Sequence, residues 1–345
     1  MYDAFLLLSF GGPEHPDDVL PFLQNVTRGR GVPPERLAEV AAHYQRFGGV
    51  SPINQQCREL VAAIRADFSV HGIDLPVYWG NRNWRPMLAD TMAQMRDHGV
   101  QRAITFATSA YGSYSSCRQY LQDLAAARAA VGPRAPVVDK LRHFHDHPGF
   151  VEPLADSVVT AFGELDPAAR ETTRLVFTAH SIPASMNASS GPESNGLYEA
   201  QLLETARLVA ARSLPGVGWD LVWQSRSGPP QVPWLEPDIN EHLRVLAKDF
   251  TTQVVVSPIG FVSDHLEVIW DLDEEAAATA RQLGLGFARA KTPGTDSRFV
   301  AMIRDLVQER MRTSDDGSRA GLGRLDHWDF CASHCCPAPA SSARR

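Results

Sequence analysis

Ala4-Phe-Leu-Leu-Leu-Ser9 carries one polar side chain in six residues, and Gly11-Gly12-Pro13 follows just beyond it. A continuous apolar run of this length, closed by glycine and proline, reads as a strand buried on both faces, as in a parallel sheet. The chain repeats the arrangement. Apolar runs at 76–79, 103–108 and 135–138 alternate with helical periodicity at 37–43, 56–67 and 87–97. The second half does the same with runs at 174–179, 219–223, 253–257 and 286–289. Strands alternating with helices indicate parallel sheets covered on both faces. The fold class is therefore α/β: two Rossmann-like, doubly wound domains with a cleft between them. The expected division is 1–147, joined by a C-terminal helix at 297–312, then 148–296, then a linker and cysteine-containing tail at 313–345.

The bulk composition is that of an ordinary globular protein. Of 345 residues, 44% are hydrophobic and 21% charged, with a net charge of −7. No basic excess marks a nucleic-acid partner. The N-terminus has no basic region ahead of a signal-like apolar run, and no stretch approaches the roughly 20 apolar residues of a membrane span. The chain reads as cytoplasmic. Its length suits two domains around a shared cleft.

The unusual residues gather just past strand ends. Gly11-Gly12-Pro13, Gly80-Asn-Arg-Asn83, Ser109–Cys117, His180-Ser-Ile-Pro183, Gln224-Ser-Arg-Ser-Gly228 and Pro258-Ile-Gly-Phe261 each follow an apolar run. In open α/β sheets, ligands bind in the crevice outside the carboxyl ends of the strands. His180 at such a place can take a proton or hold a metal near neutral pH. Arg28, Arg30, Arg82 and Arg226 are forks that could pair with ligand carboxylates. Tyr111, Tyr114, Trp223 and Phe261 could wall a flat ligand, or belong to the core.

Asp264-His-Leu-Glu-Val-Ile-Trp-Asp-Leu-Asp-Glu-Glu275 places Glu267, Asp271 and Glu275 four residues apart. On a helix that spacing stacks three negative charges on one face, at a cost of roughly a few tenths of a kcal/mol per pair. In a cleft the line can conduct cations; on a surface it is a solvated stripe. Asp264 and Glu267 also fit a capping box, with Asp264 as N-cap.

Cys331-Ala-Ser-His-Cys335-Cys336 crowds three thiols near the end. In a reducing compartment this suggests metal before disulfide. Zinc would accept three thiolates with His334, while an iron–sulfur cluster would take a fourth thiolate, for which Cys117 in a cleft-side loop is the candidate. Cys57 lies in a helix interior and reads as a buried thiol.

These residues resemble the ferrochelatases, in particular the bacterial type with a [2Fe–2S] cluster at the C-terminal end. The resemblance spans nearly the whole chain. It is carried by Leu8-Ser-Phe-Gly-Gly-Pro13, Gly48-Gly-Val-Ser-Pro-Ile53, Thr178-Ala-His-Ser-Ile-Pro183, Trp223-Gln-Ser-Arg-Ser-Gly228 with Pro233-Trp-Leu235, and Gly260-Phe-Val-Ser-Asp-His-Leu-Glu267. It implies insertion of Fe²⁺ into a porphyrin, coproporphyrin III by its type, in haem biosynthesis. Protoporphyrin IX, a cobalt or nickel chelatase and a non-catalytic tetrapyrrole-binding module are the alternatives. The resemblance puts the catalytic pair on His180 and Glu267, outer metal positions on Asp271 and Glu275, and porphyrin contacts on Phe10, Arg28 and Ser51. The cluster ligands would be Cys117, Cys331, Cys335 and Cys336. Some relatives carry tyrosine where Phe10 stands; phenylalanine cannot ligate, so an axial contact falls to His180. The expected picture has His180 from one lobe and Glu267 from the other, facing each other over a pocket wide enough for a macrocycle, in a monomer that contacts haem-handling proteins.

Overall fold

β1 (Ala4–Ser9) is buried along its whole length and splits its side chains between two cores. Phe5 and Leu7 point into one cluster, Leu6 and Leu8 into the other, as the two-residue period of a strand requires. In this computed structural model, which describes residues 2–29, 31–229, 231–312 and 319–339, β1 lies inside a parallel sheet of order β2-β1-β3-β4. β2 is Val77–Asn81, β3 Arg102–Ala107 and β4 Val137–Lys140. A second parallel sheet has the order β6-β5-β7-β8, from β5 (Thr173–His180), β6 (Trp219–Gln224), β7 (Gln253–Ser257) and β8 (Gly286–Arg289). The expected α/β class is present, with two sheets of four strands. β2 and β4 start one and two residues later than expected because Pro76 and Pro136 have no N–H for a ladder.

One core unites the halves. The inner faces of β1 and β3 and those of β5 and β7 feed a single cluster with the helices Ile53–Val70, Pro148–Phe162, Leu197–Ser213 and Ser297–Met311. Phe106, Phe144, Phe150 and Phe299 meet within it, with ring centroids 4.8 Å apart for Phe106–Phe144 and 5.4 Å for Phe144–Phe150. Each such side chain contributes about 1.5–3 kcal/mol by leaving water. The last helix packs on both Pro148–Phe162 and Ile53–Val70, and Arg304 on it pairs with Asp67 at 2.8 Å. The chain thus returns to its first half before the tail.

The Gly-rich stretch expected to act as a linker is tied down where it is described. Arg142 donates to Ala320 O at 2.9 Å, and Leu322 N to Asp146 O at 3.0 Å. Residues 313–318 and 340–345 lie outside the described residues, as does Arg30. No helix among the described residues is long and apolar enough to cross a membrane.

Candidate active site

His180 is the last residue of β5 and pairs in register with Gln224 at the end of β6. Its Nδ1 lies 2.5 Å from Ser181 O. A carbonyl only accepts, so Nδ1 carries the proton and Nε2 is the basic nitrogen of the neutral ring. Tyr198 OH holds the backbone by donating to His180 O at 2.9 Å.

Glu267 is exposed and stands in the loop-to-helix segment after β7, the neighbour of β5 in the same sheet. Both members of the pair therefore belong to the second sheet, which corrects the expectation that they face each other from opposite lobes. His265 couples them. Burial pushes its imidazole below the ordinary range, Glu267 draws it up and His180 pushes it further down, so all three share one field. From the first half comes Tyr44, whose phenol is raised by burial and by the charge of Glu267.

The capping box is absent. His265, in extended conformation, takes the N-cap position and makes no side-chain cap bond. Asp264 instead pairs with Arg289 at 3.1 Å, a charged partner that outcompetes a backbone N–H. Beyond Val268 the helix widens into a π-helical stretch, Ile269–Ala276. In an α-helix, residues eight apart drift about 80° around the axis. The wider π turn reduces that drift and keeps Glu267, Asp271 and Glu275 closer to one line.

Asp271 is the electrostatic centre of this line. Its carboxyl is raised to about 7, first by burial and then by the charges of Glu267 and Glu275, against hydrogen bonds from Ser225 and Gln224. Glu275 is exposed and acts on His43, which stacks on Trp270 with centroids 3.9 Å apart. Burial lowers the His43 imidazole, while Glu275 opposes that shift.

A half-apolar wall faces this row. Phe22, Tyr44 and Leu266 are buried together, with Phe10 and Trp84 packed against them and partly exposed. Phe10 meets Phe22 edge-on at 6.3 Å, and the Arg82 guanidinium sits 5.8 Å from the Phe10 ring. Arg28 is exposed past the helix Val19–Val26. Arg82 is held by Asp123, and Arg226 contacts Glu236 at 3.2 Å.

Other expected wall residues are elsewhere. Tyr111 is buried and donates to Ile259 O at 2.7 Å, pinning the end of β3 to the loop after β7. Trp223 is core, stacked on Tyr198 at 6.0 Å. Ser51 is buried beneath Gly12, with its N–H donating to Pro13 O at 2.8 Å. Tyr111 and Trp223 thus pack between the layers instead of lining a surface, whereas Phe261 stays partly exposed with its ring 5.1 Å from that of His265. The reading of the sequence missed Ser225, His265, Tyr44 and His43. Only Ser225, inside an already noted strand-end cluster, and His265, two residues from Glu267, carried a signal.

The four cysteines meet. Cys117, in a π-helical turn after β3, packs with Cys335, Cys336 and the partly exposed Cys331. The Cys335 and Cys336 sulfurs are 3.6 Å apart. Gly191 N donates to Cys336 Sγ at 3.2 Å, and Arg118 Nε donates to Cys335 O at 2.8 Å. The Cys117 thiol faces Cys331 and Cys336, and its hydrogen bonds pull both down, to about 5 and about 6. His334 is exposed and Cys57 buried within its helix.

The family model for ferrochelatase matches residues 2–311. The chain belongs to the ferrochelatase family. It is 54% identical, over 99% of both chains, to the coproporphyrin III ferrochelatase of Nocardia farcinica. It is 55% identical over 90% of both chains to that of Mycolicibacterium smegmatis. Among solved structures it is similar in fold to SirB from Bacillus subtilis with Fe³⁺, at a TM-score of 0.56 and 11% identity, covering 90% of this chain and 97% of that one. The family match ends with the last helix, so the cysteine tail lies outside it.

Proposed function

We infer that the protein is a lyase of haem biosynthesis that inserts Fe²⁺ into coproporphyrin III, with loss of two pyrrole protons. The observation that carries this reading is the 54% identity over 99% of the chain to a coproporphyrin III ferrochelatase. Both Fe²⁺ and the porphyrin are substrates. His180 Nε2 is the proton acceptor for the pyrrole nitrogens, supported by the Nδ1 bond that fixes its tautomer. Glu267 serves as its partner acid or base. Asp271 and Glu275 lead hydrated Fe²⁺ inward. A carboxyl titrating near 7 suits that role, because it exchanges a proton for a cation near neutral pH. Phe10 offers an apolar face to the macrocycle, and exposed Arg28 a fork for a propionate. The decisive assay mixes protein, Fe²⁺ and free-base coproporphyrin III or protoporphyrin IX without oxygen and follows the visible spectrum. Metalation of neither porphyrin ends the reading; preference for protoporphyrin IX ends its substrate half.

We also propose that Cys117, Cys331, Cys335 and Cys336 hold a [2Fe–2S] cluster. Four converging thiols fit that donor set. A single tetrahedral zinc would need sulfurs about 3.8 Å apart throughout. Among the described residues, no three of these sulfurs group within 4.8 Å, and His334 points to solvent. When bound, the cluster supplies one-electron chemistry and a covalent tie between tail and body. Replacing Cys335 with serine and measuring iron, sulfide and melting tests the assignment; unchanged cluster content would sink it. The division at 147/148, with the last helix joined to the first domain, the cytoplasmic location, the monomeric state and the haem-handling partners belong to the same proposal.

A further inference from the structure

Between β4 and the helix Pro148–Phe162 runs Arg142-His-Phe-His-Asp-His147, whose histidines and aspartate are all buried. Glu204, from the helix Leu197–Ser213, and His327, from the tail, close on it. His145 Nε2 lies 3.1 Å from Glu204 Oε2. His327 Nε2 lies 3.0 and 3.1 Å from the two carboxylate oxygens of Asp146. Ligand atoms of His145, Asp146 and His327 all fall within 4.8 Å of one another. His145 is 0% exposed, and its Nδ1 has no hydrogen-bond partner.

The tail backbone is shaped to this cluster. A Cβ on Gly323 would crowd Glu204 Oε2 and sit 2.8 Å from Asp146 Oδ2; on Gly321 it would sit 2.7 Å from Asp146 Oδ2. Gly323 N donates to Asp146 Oδ2 at 3.0 Å, and Arg324 N to Glu204 Oε1 at 2.6 Å. Arg142 is engaged with Glu309 at 2.7 and 2.9 Å, and its Nη1 lies 3.4 Å from His327 Nδ1, so the Nε2 side of that ring is the one facing Asp146. Two buried carboxylates, Asp146 and Glu204, stand beside His145 and His327. Buried charges are paired or bind metal. Two imidazoles and one carboxylate suit an ion of the zinc class, which takes three protein ligands with a fourth position open, while Glu204 holds the other nitrogen of His145.

We propose that His145, Asp146 and His327, with Glu204 orienting His145, form a binding site for one divalent transition-metal ion of the zinc class, which staples the C-terminal segment to the body. The site lies apart from the thiols and from the His180 row, and needs neither to be read correctly. Metal-stripped full-length protein is titrated with Zn²⁺, and separately with Co²⁺ while its absorption is recorded. The parent and His180→Ala proteins are expected to take up one equivalent whose Co²⁺ spectrum lacks sulfur charge transfer. His327→Ala and Asp146→Asn should lose that equivalent and keep any thiol-bound metal. Equal uptake by parent and variants overturns the proposal and leaves the cluster as hydrogen-bonded pairs. If the variants do not fold, melting decides. Zn²⁺ should raise the melting temperature of the Cys331→Ser protein, and an unchanged temperature overturns the site.

Discussion

The two sheets share one strand order and one parallel sense, but their carboxyl ends differ in chemistry. The first ends in packing. Asn81 is buried and donates to Asn54 Oδ1 and Arg85 O, both at 3.1 Å, Ser51 lies under Gly12, and Tyr111 is spent on Ile259. The second ends in proton carriers: His180 half-exposed after β5, Ser225 on Asp271 after β6, and Glu267 exposed beyond β7. The same topology thus makes two strand-end crevices, and residue type distinguishes them: packed amides and a tyrosine at one, ionisable groups at the other. A fold places strand ends together, while function is set by what stands on them.

The strongest way to break this contrast is to swap effects between the sheets. His180→Ala should lower turnover by roughly 10²–10⁴, the range for a positioned proton acceptor, while melting stays near that of the parent. Normal turnover would remove the imidazole from the chemistry. Gly11→Ala should do the opposite. Gly11 has φ +83°, and a Cβ there would lie 2.9 Å from Asn81 Cβ and 3.1 Å from Trp84 N. About 1–3 kcal/mol of stability should be lost in denaturant unfolding, with turnover per folded molecule largely kept. Tyr111→Phe leaves the buried Ile259 carbonyl without its donor, a loss of about 1 kcal/mol. A midpoint unchanged in either variant would mean that the first sheet does not frame the cleft.

Much of this architecture was legible. β1, β7 and β8 appear with the expected bounds, and for β1 and β7 the reason is a continuous apolar run, the mark of a strand buried on both faces. The acidic row was legible as a spacing, though not as a π-helical turn, since i→i+5 bonding leaves no periodic mark in so short a segment. Which aromatics wall the cleft was not legible. Trp223 and Phe10 both stand at strand ends, and only tertiary packing buries one and leaves the other half open. The partners of Asp264 were hidden as well, because Arg289 arrives from a strand 25 residues away. The crowding of Cys331, Cys335 and Cys336 is legible in the sequence; the cluster around His145 and Asp146 is not, because Glu204 lies 59 residues from His145 and His327 181 residues from Asp146.

The finest test of the contrast concerns Asp271. An aspartate in an unfolded chain titrates near about 3.9, whereas this carboxyl titrates near about 7 in the folded protein, mainly through burial. Between those values the native state holds a proton that the unfolded state has released. Stability therefore falls as pH rises through the window and levels off above it. Asparagine never ionises, so Asp271→Asn should melt with the parent near pH 4 and draw above it by about a few degrees at pH 8. A gap that does not grow with pH would show that the carboxyl holds no proton in the fold. The same variant should need several-fold more Fe²⁺ for half-maximal rate at pH 8 while its porphyrin KM stays put, because a neutral amide keeps the shape of the row but gives up its charge. An unchanged iron requirement, alongside the expected melting behaviour, would make Asp271 a buried acid of the second sheet that takes no part in conducting iron.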